Sequence, residues 1–306
     1  EETKRIVAGL DESYLFIQGP PGSGKTFTTS HVILDRIRAR KRVGVASNSH
    51  KAINNLLHAV EDRAREMGIS FRGIKKSDRE RPETFFGGRL IRDVGDNKEV
   101  DLFAADLIAG TAWLFARTEL DRQLDYLFVD EAGQVSLANL VAMGVSAENI
   151  VLVGDQMQLA QPIQGVHPEE SGLSVLEYLL QGAATIARER GIFLPTTWRM
   201  HDDVCRFISE AVYDGRLQPE GQNRNQQLVL DKSAHPALAP SGIRFVPVEH
   251  RGCSQKSEEE VALVKQIYRS LLGQQFHDRD GVLHPVTQQN ILVVAPYNLQ
   301  VHLLKS

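Results

Sequence analysis

The chain has 306 residues, of which 42% are apolar and 24% charged, a composition typical of a globular protein long enough for two domains. Its formal net charge of −4 at pH 7 excludes a uniformly basic nucleic-acid-binding protein, so any nucleic-acid site must be a local patch. Cys205 and Cys253 lie far apart and outside any metal-ligand spacing, which argues against a disulfide framework or a zinc site and favours a reducing, cytoplasmic setting. No apolar run reaches the roughly 18 residues of a membrane span, and no signal-peptide pattern occurs.

Short apolar runs alternate with longer helical stretches along the chain. Runs this short and this uniformly apolar are typical of strands buried on both faces of a parallel sheet, with helices as the crossovers. The predicted strands are Tyr14–Gln18, Val43–Ala46, Leu107–Ala109, Tyr126–Val129, Ile150–Val153, Ile243–Val248 and Ile291–Ala295. The clearest helix begins after Ser257, with Glu260 as a capping-box partner and Gly273 at its end. The sequence therefore predicts an α/β fold with mainly parallel sheets.

Two segments lack these patterns. Arg72–Glu99 holds eight Lys or Arg and six Asp or Glu, which indicates a loop or a small insertion. Arg216–Gly242 is rich in Gln, Asn and Pro and is interpreted as a long connection. We expect a domain boundary near Gly191, which gives a first domain over 1–190 and a second over 191–306.

A glycine-rich loop follows the first predicted strand. Gly19–Thr26 fits the phosphate-loop pattern G-x-x-x-x-G-K-[ST], and the helix-compatible stretch Phe27–Ala39 comes directly after it. Glycines let backbone N–H groups surround phosphate oxygens, and the N-terminus of the helix adds partial positive charge. We expect Lys25 to reach the β- and γ-phosphates and Thr26 to ligate Mg²⁺. The predicted nucleotide-binding residues are Gly19, Pro20, Pro21, Gly22, Ser23, Gly24, Lys25, Thr26 and Phe27.

The second half of this site is predicted where the strand Tyr126–Val129 runs into two carboxylates. Asp130 is expected to hold Mg²⁺ through its water shell, and Glu131 to orient and deprotonate the attacking water. Neighbouring side chains of a strand point to opposite faces, so both acids reach one site only if the strand ends there. The following Ala132 and Gly133 permit that ending. A phosphate loop followed by such a pair predicts nucleotide hydrolysis with ATP and Mg²⁺ as cofactors.

Four further stretches indicate which process the hydrolysis of ATP powers. They are Val43–Leu57, Ile150–Gly165, Thr196–Leu217 and Ile291–Leu304. GPPGSGKT, DEAGQ, GDQMQL and WRMH, in this order, resemble the motifs of superfamily 1 helicases. The branch that matches holds the nonsense-mediated-decay helicase and the nuclease-helicase of Okazaki-fragment processing. Within it, the resemblance looks closest to bacterial members in which the helicase follows a RecB-like nuclease domain. It extends over nearly the whole chain.

The resemblance implies two RecA-like domains, with ATP and Mg²⁺ in the cleft between them and a single strand across the top. Movement along the strand would run 5′ to 3′, as in that branch. Gln158 would sense the γ-phosphate, and Gln134 would assist there. Arg199 would act from the second domain as an arginine finger, and Trp198 would stack beside the adenine. A domain-interface salt bridge for Arg199 and core packing for Trp198 are the competing interpretations.

Polar residues at the ends of two predicted strands are candidates for contact with nucleic acid, because open parallel sheets bind ligands at that edge. Short hydroxyl and amide side chains can bind phosphate and sugar oxygens there, although turns and helix caps use the same residues. These candidates are Ser47, Asn48, Ser49, His50 and Lys51. The resemblance adds Gly110 and Thr111, at the end of another predicted strand, because they match a further strand-contacting motif of the family. No residue distinguishes DNA from RNA, and only the fused nuclease of the resembling proteins favours DNA. An ATP-gated single-strand-binding module, a P-loop ATPase acting on protein partners and the oligomeric state all stay open.

Three departures from the family pattern concern the ends of the chain. A strand-binding glutamine-glycine loop and a second arginine for the γ-phosphate follow the Ile291–Leu304 unit in the family, and neither occurs before Ser306. No nuclease domain precedes Glu1, and Glu2 stands where the family has an adenine-binding glutamine. We therefore expect a fragment with an incomplete second sheet and weak hydrolysis. Its parent polypeptide is expected to carry a nuclease and to act in DNA repair or recombination.

Overall fold

The structure, a computed structural model, describes residues 1–96, 104–159, 165 and 168–306. The chain divides into two compact units. The first comprises Glu1–Pro195 with Val212–Asp214, and the second comprises Thr196–Ala211 with Gly215–Ser306. The sheet of the first unit extends past residue 190, where we expected the domain boundary, because a strand at Gly191–Phe193 pairs with the strand at Tyr14–Gln18.

The first unit is built on one sheet of eight strands. They are β1 (Tyr14–Gln18), β2 (Val43–Ala46), β3 (Gly73–Lys76), β4 (Ile91–Val94), β5 (Leu107–Gly110), β6 (Leu124–Val129), β7 (Ala147–Gly154) and β8 (Gly191–Phe193). Their order across the sheet is β4-β3-β5-β2-β6-β7-β1-β8, and every neighbouring pair is parallel. All eight strands therefore end at one side of the sheet, called the carboxyl edge below. The predicted α/β fold with mainly parallel strands is confirmed.

Six helices accompany this sheet among the described residues. They are α1 (Glu2–Ala8), α2 (Lys25–Arg38), α3 (His50–Met67), α4 (Ala112–Phe115), α5 (Leu137–Gly144) and α6 (Val175–Leu180). The crossover helices α2 and α3 bury an apolar stripe that includes Ile33 and Leu56, each with 0% exposure. Burying one such side chain contributes about 1.5–3 kcal/mol. These stripes fix the two loops that enter α2 and α3 at the carboxyl edge.

The charged segment Arg72–Glu99 differs from its prediction as a loop or insertion, because it supplies β3 and β4 to the parallel sheet. Its part over 97–99 lies outside the described residues. The charge pattern concealed the strands because Lys75 in β3 has 0% exposure and is surrounded by hydrogen-bond acceptors. Buried lysines are rare unless paired, so the segment could not be recognised as a strand from composition.

The second unit contains shorter strands. Its strands β9 (Thr196–Thr197) and β10 (Gln218–Pro219) are parallel, whereas β11 (Gln227–Val229), β12 (Gln275–His277) and β13 (Leu283–Pro285) form an antiparallel sheet. Its helices are α8 (Glu258–Leu272), α9 (Asn298–Lys305) and most of α7 (Asp202–Val212). Within the described parts of the chain, no helix of either unit is both long and apolar enough to cross a membrane.

The predicted helix after Ser257 is confirmed as α8, with a capping arrangement that differs in one partner. The hydroxyl of Ser257 accepts a hydrogen bond from the Glu260 N–H at 3.1 Å, and Gly273 follows the last turn. The Ser257 N–H donates to Oε1 of Gln300 at 2.8 Å. Gln300 of α9 thus accepts the hydrogen bond from the Ser257 N–H that a capping box would direct to the Glu260 carboxylate.

The two apolar runs predicted as strands in this unit, Ile243–Val248 and Ile291–Ala295, do not form strands. Phe245 is 90% exposed and Leu292 is 87% exposed, so neither run is buried. The prediction was wrong because the backbone groups of a strand need a neighbouring strand. No described residue pairs with either run in a ladder.

Candidate functional site

The phosphate loop adopts the backbone that its glycines permit. Gly24 has φ +81° and ends the loop at the first turn of α2, in the left-handed region that favours glycine. No side chain caps α2, so the first N–H groups of the helix point toward the loop without an intrahelical acceptor. The Gly19 N–H donates to the carbonyl of Gly154 at 2.9 Å, which fixes the start of the loop to the end of β7.

Two side chains of the loop fit a phosphate group. The Lys25 ammonium donates to the Gly19 carbonyl at 2.7 Å, so it folds back over the loop that it closes. The Ser23 hydroxyl is buried without a hydrogen-bond partner among the described residues. An anion in the loop would offer acceptors to both groups, and an unpaired buried hydroxyl otherwise costs free energy. The hydroxyl of Thr26 lies on an exposed residue at the entrance of α2, where a cation beside the phosphates could be reached.

The acidic pair lies at the end of β6, as its sequence indicated. The strand ends at Val129, and Glu131 turns the chain with φ +52° into the short helical turn Ala132–Gln134. Asp130 has 7% exposure. Burial and then the neighbouring Glu131 raise the pKa of Asp130 to about 7, while the charge of Lys25 acts in the opposite direction. The charge of Lys25 thus acts on the Asp130 carboxylate, although burial has the larger effect on its pKa.

The acidic turn packs closely against the end of β7. A Cβ atom on Gly133 would lie 2.7 Å from the Asp155 carbonyl oxygen, which is backbone and cannot move aside as a side chain can. Only glycine therefore fits between the two segments. This close approach holds Glu131 and Gln134 against the end of the strand that also contacts the phosphate loop.

Replacing Gly133 with alanine should lower the free energy of unfolding by about 1–3 kcal/mol, because the added methyl group must push the turn away from Asp155. Gly221→Ala is the matched control, since a Cβ there meets no heavy atom within 4 Å. Urea unfolding of both variants measures the effect. Equal stability of the two variants would show that the turn can shift without cost.

Asp155, directly after β7, organises the segment that carries Gln158. Its carboxylate accepts hydrogen bonds from the Tyr213 hydroxyl at 2.6 Å and from Nε2 of Gln158 at 3.1 Å. Burial and the Asp155 carboxylate raise the pKa of Tyr213 well above its usual range, so the phenol stays a donor. The Gln158 amide is thereby held at the end of β7, whose Gly154 carbonyl also accepts the hydrogen bond from the phosphate loop. Residues 160–164 of the same motif lie outside the described residues.

The candidate strand-contacting loop is joined to the acidic turn. Nδ2 of Asn48, just after β2, donates a hydrogen bond to the backbone carbonyl of Gln134. Ser49 caps α3 by accepting from the Ala52 N–H at 3.5 Å, which is the competing interpretation for that residue. Ser47 is 2% exposed, and its hydroxyl has no hydrogen-bond partner among the described residues. The loop is therefore in direct contact with the turn that carries the acids.

Gly110 and Thr111 lie at the end of β5, beside this loop. Ala46 pairs with Gly110 in the parallel ladder, so Ser47 and Thr111 follow at the same level of the sheet. Thr111 is the residue before α4, and Lys51 is exposed in the first turn of α3. The carboxyl edge thus brings the candidates from two neighbouring strands together.

His50 faces a buried lysine that sequence reasoning did not single out. Nζ of Lys75 lies 3.4 Å from Nδ1 of His50 and donates to Oγ of Ser77 at 3.0 Å and to the Thr84 carbonyl. Asp93 completes its surroundings at 4.0 Å. Because an ammonium only donates, Nδ1 of His50 must accept, and its proton sits on Nε2. Burial and then the Lys75 charge lower the pKa of His50, so the ring is neutral with an N–H donor available.

A pH titration should detect this arrangement. Because the pKa of His50 is lowered in the folded state, the unfolded chain takes up the proton first as the pH falls below about 6.5. The free energy of unfolding should therefore decrease through that window, and Lys75→Met should move the pKa of His50 back toward its ordinary value. Imidazole ¹H–¹⁵N spectra against pH measure the pKa of His50. A value at or above about 6.5 in the unaltered chain would contradict the arrangement.

Gln18, the residue before the phosphate loop, was also missed. It has 0% exposure, donates to the Ala184 carbonyl at 2.9 Å and accepts from the Ile186 N–H at 2.7 Å. Its Nε2 also lies 3.1 Å from Oε1 of Gln156. The signal was a glutamine at the end of a uniformly apolar strand, where a buried amide needs several partners. Gln18 links the start of the loop to the segments after β7 and before β8.

The remaining candidates lie in more exposed positions. Phe27 is 59% exposed, and its ring packs against His31 and under the guanidinium of Arg63. Trp198 is 52% exposed, which does not fit core packing. The guanidinium of Arg279 lies 5.4 Å from the ring centre of Trp198. Arg199 is exposed in the second unit, with no ion pair to any described residue.

Comparisons with known proteins agree with these motifs. A family model described as an AAA domain matches residues 3–163, over half of the chain, and another of the same description matches 172–306. The chain is 23% identical to the DNA polymerase alpha-associated DNA helicase A of Schizosaccharomyces pombe, over 94% of this chain and 51% of that protein. It is 26% identical to the DNA replication ATP-dependent helicase/nuclease dna2 of the same yeast, over 73% and 16%. It is 25% identical to the DNA-binding protein SMUBP-2 of Rattus norvegicus, over 94% and 34%. The chain thus spans between a sixth and a half of these relatives.

Proposed function

The chain belongs to the AAA domain family, and on that premise we propose that it is the motor part of an ATP-dependent helicase acting on single-stranded nucleic acid. The observation that carries the proposal is the hydrogen bond from Asn48 to the Gln134 carbonyl. It joins the candidate strand-contacting loop to the turn that carries Asp130 and Glu131. Relatives named as DNA helicases support the same reaction and favour DNA over RNA.

The phosphate loop and the acidic pair supply the hydrolytic chemistry. Lys25 and the uncapped N-terminus of α2 would neutralise the phosphate oxygens, and Glu131 would accept the proton of the attacking water. Mg²⁺ held by Thr26 and, through water, by Asp130 would neutralise the charge that develops on the β- and γ-oxygens. Gln158, positioned by Asp155, would contact the γ-phosphate. Catalysis then depends on positioning and charge rather than on a covalent step.

Several finer parts of the proposal rest on family resemblance. In the second unit, Arg199 would act as an arginine finger and Trp198 would lie beside the adenine. The two domains, for which we expected a boundary near Gly191, would close on ATP and move the strand 5′ to 3′. A nuclease domain in the parent polypeptide, a role in DNA repair or recombination and a cytoplasmic location complete the proposal. The relative that is both a helicase and a nuclease supports the nuclease domain.

The test is ATP hydrolysis by the chain with no oligomer, with single-stranded DNA and with single-stranded RNA of matched sequence. The proposal expects stimulation by a single strand, with DNA more effective than RNA, and separation of duplexes that carry a 5′ overhang. Stimulation without separation would favour an ATP-gated strand-binding module. If neither oligomer changes the rate of hydrolysis by the full-length parent polypeptide, the proposal is overturned and an ATPase acting on protein partners is favoured.

A further inference from the structure

An exposed tryptophan stands at the carboxyl edge beside the candidate strand-contacting residues. Trp113 is 87% exposed, whereas the two residues after it, Leu114 and Phe115, are 3% and 0% exposed. The Leu114 N–H donates to the Thr111 carbonyl at 2.9 Å, which closes the turn. The buried pair anchors α4 in the core and leaves the indole on the outside, so its exposure follows from the packing of its neighbours.

The position of Trp113 in the sheet is set by strand pairing. β5 lies between β3 and β2, and Ala46 of β2 pairs with Gly110 of β5. Adjacent strands are about 4.8 Å apart, so the residues that follow them, Ser47 and Thr111, are neighbours. Trp113 comes two residues later. The orphaned hydroxyl of Ser47 is an independent sign that this edge accommodates a polar ligand.

The charges around the same edge suit a phosphate backbone. Lys75, Lys76 and Arg81 act on His50 as positive charges, and Asp78 as a negative one. Two carboxylates are paired in this cluster, Asp78 with Arg81 at 3.7 Å and Asp93 with the buried Lys75 at 4.0 Å. Lys51, next to His50 in the chain, is exposed. A local excess of positive charge in a chain of net charge −4 is the pattern of a nucleic-acid patch. Proteins that hold single strands combine such a patch with aromatic faces on which bases stack.

We propose that Trp113 is a base-stacking residue for single-stranded nucleic acid, placed in α4 directly after β5, beside a backbone-binding patch at the ends of β2 and β3. This inference rests on the proposed function and identifies a residue that holds the bases of the single strand. Every base has a π face, so the contact tolerates any sequence. A duplex offers no unstacked base to the indole, so Trp113 selects single strands over double strands.

The experiment measures the affinity of the whole chain for a fluorescently labelled oligodeoxythymidine and for the same oligomer with abasic sites. Trp113→Ala should weaken oligodeoxythymidine binding by about 5- to 150-fold, which corresponds to the usual range for one stacked base. Trp113→Phe should restore most of the affinity, because it keeps an aromatic face. Binding of the abasic oligomer should be the same for Trp113→Ala and the unaltered chain.

Tyr14→Ala is the matched control, since Tyr14 is 52% exposed at the opposite end of a strand of the same sheet. It should leave the affinity for both oligomers unchanged. Equal weakening of both oligomers by Trp113→Ala, or no weakening of either, would overturn the inference while leaving strand binding itself intact. Failure of the unaltered chain to bind oligodeoxythymidine would overturn both the inference and the proposed function.

Discussion

Lys25→Ala should reduce strand-stimulated ATP hydrolysis by about 10²- to 10³-fold, the range seen when one preorganised donor to a developing negative charge is removed. Nζ of Lys25 already lies over the phosphate loop, 2.7 Å from the Gly19 carbonyl, so its charge is fixed where the phosphates would bind. Alanine removes that charge and leaves the backbone donors of the loop in place. Steady-state release of phosphate at saturating single-stranded DNA measures the loss.

Lys41→Ala provides the control for loss of a lysine in the same unit. Lys41 pairs with Asp125 at 2.7 Å on an exposed surface, and such pairs contribute little. The Lys41→Ala variant should hydrolyse ATP at a rate within about twofold of that of the unaltered chain. A Lys25→Ala variant that hydrolyses ATP as fast as Lys41→Ala would remove the phosphate loop from the mechanism.

Glu131→Gln should slow ATP hydrolysis by orders of magnitude while nucleotide binding persists. The carboxylate of Glu131 would take the proton of the attacking water, and a carboxamide of the same shape cannot. Loss of a general base costs about 10²- to 10⁴-fold in rate. Single-turnover hydrolysis, with nucleotide affinity measured in parallel, separates the two effects.

Glu148→Gln is the matched control, because Glu148 is an exposed glutamate near the start of β7, away from the carboxyl edge. The Glu148→Gln variant should hydrolyse ATP at the same rate as the unaltered chain. If Glu131→Gln lost nucleotide binding as well as hydrolysis, the glutamate would have a structural role, and the assignment of the general base would need to move to another group.

The first unit could be predicted from the sequence because its strands are uniformly apolar. The five predicted runs from Tyr14–Gln18 to Ile150–Val153 all lie in the observed strands β1, β2, β5, β6 and β7. The strands that were missed have other patterns. β3 carries two lysines, and β8 has only three residues. A strand whose polar side chain is satisfied by distant residues gives no local signal of burial.

The second unit was predicted less well for a related reason. Apolarity at Ile243–Val248 and Ile291–Ala295 indicated strands, but strand formation depends on a partner elsewhere in the fold. The observed strands β11, β12 and β13 have three residues each and contain only half-buried and exposed residues. Local sequence carries little information about pairings of that kind.

The motifs of the candidate site were accessible from sequence, whereas the contacts that support them were not. Spacing and residue type were enough to identify Lys25, Asp130 and Glu131 as candidates. The support of Asp155 by Tyr213, 58 residues apart in sequence, could not be inferred from either local pattern. Trp113 was passed over because a tryptophan between apolar neighbours is usually buried, and only the fold shows that it is not.

The central claim is that a nucleotide at the phosphate loop and a single strand at the ends of β2 and β5 are coupled through the carboxyl edge. The most direct test is the affinity of the chain for single-stranded DNA without nucleotide, with ADP and with a non-hydrolysable ATP analogue. Coupling of the usual size predicts that the affinity differs by about 5- to 150-fold between nucleotide states. The same affinity in all three states, with both nucleotides shown to be bound, would contradict the claim.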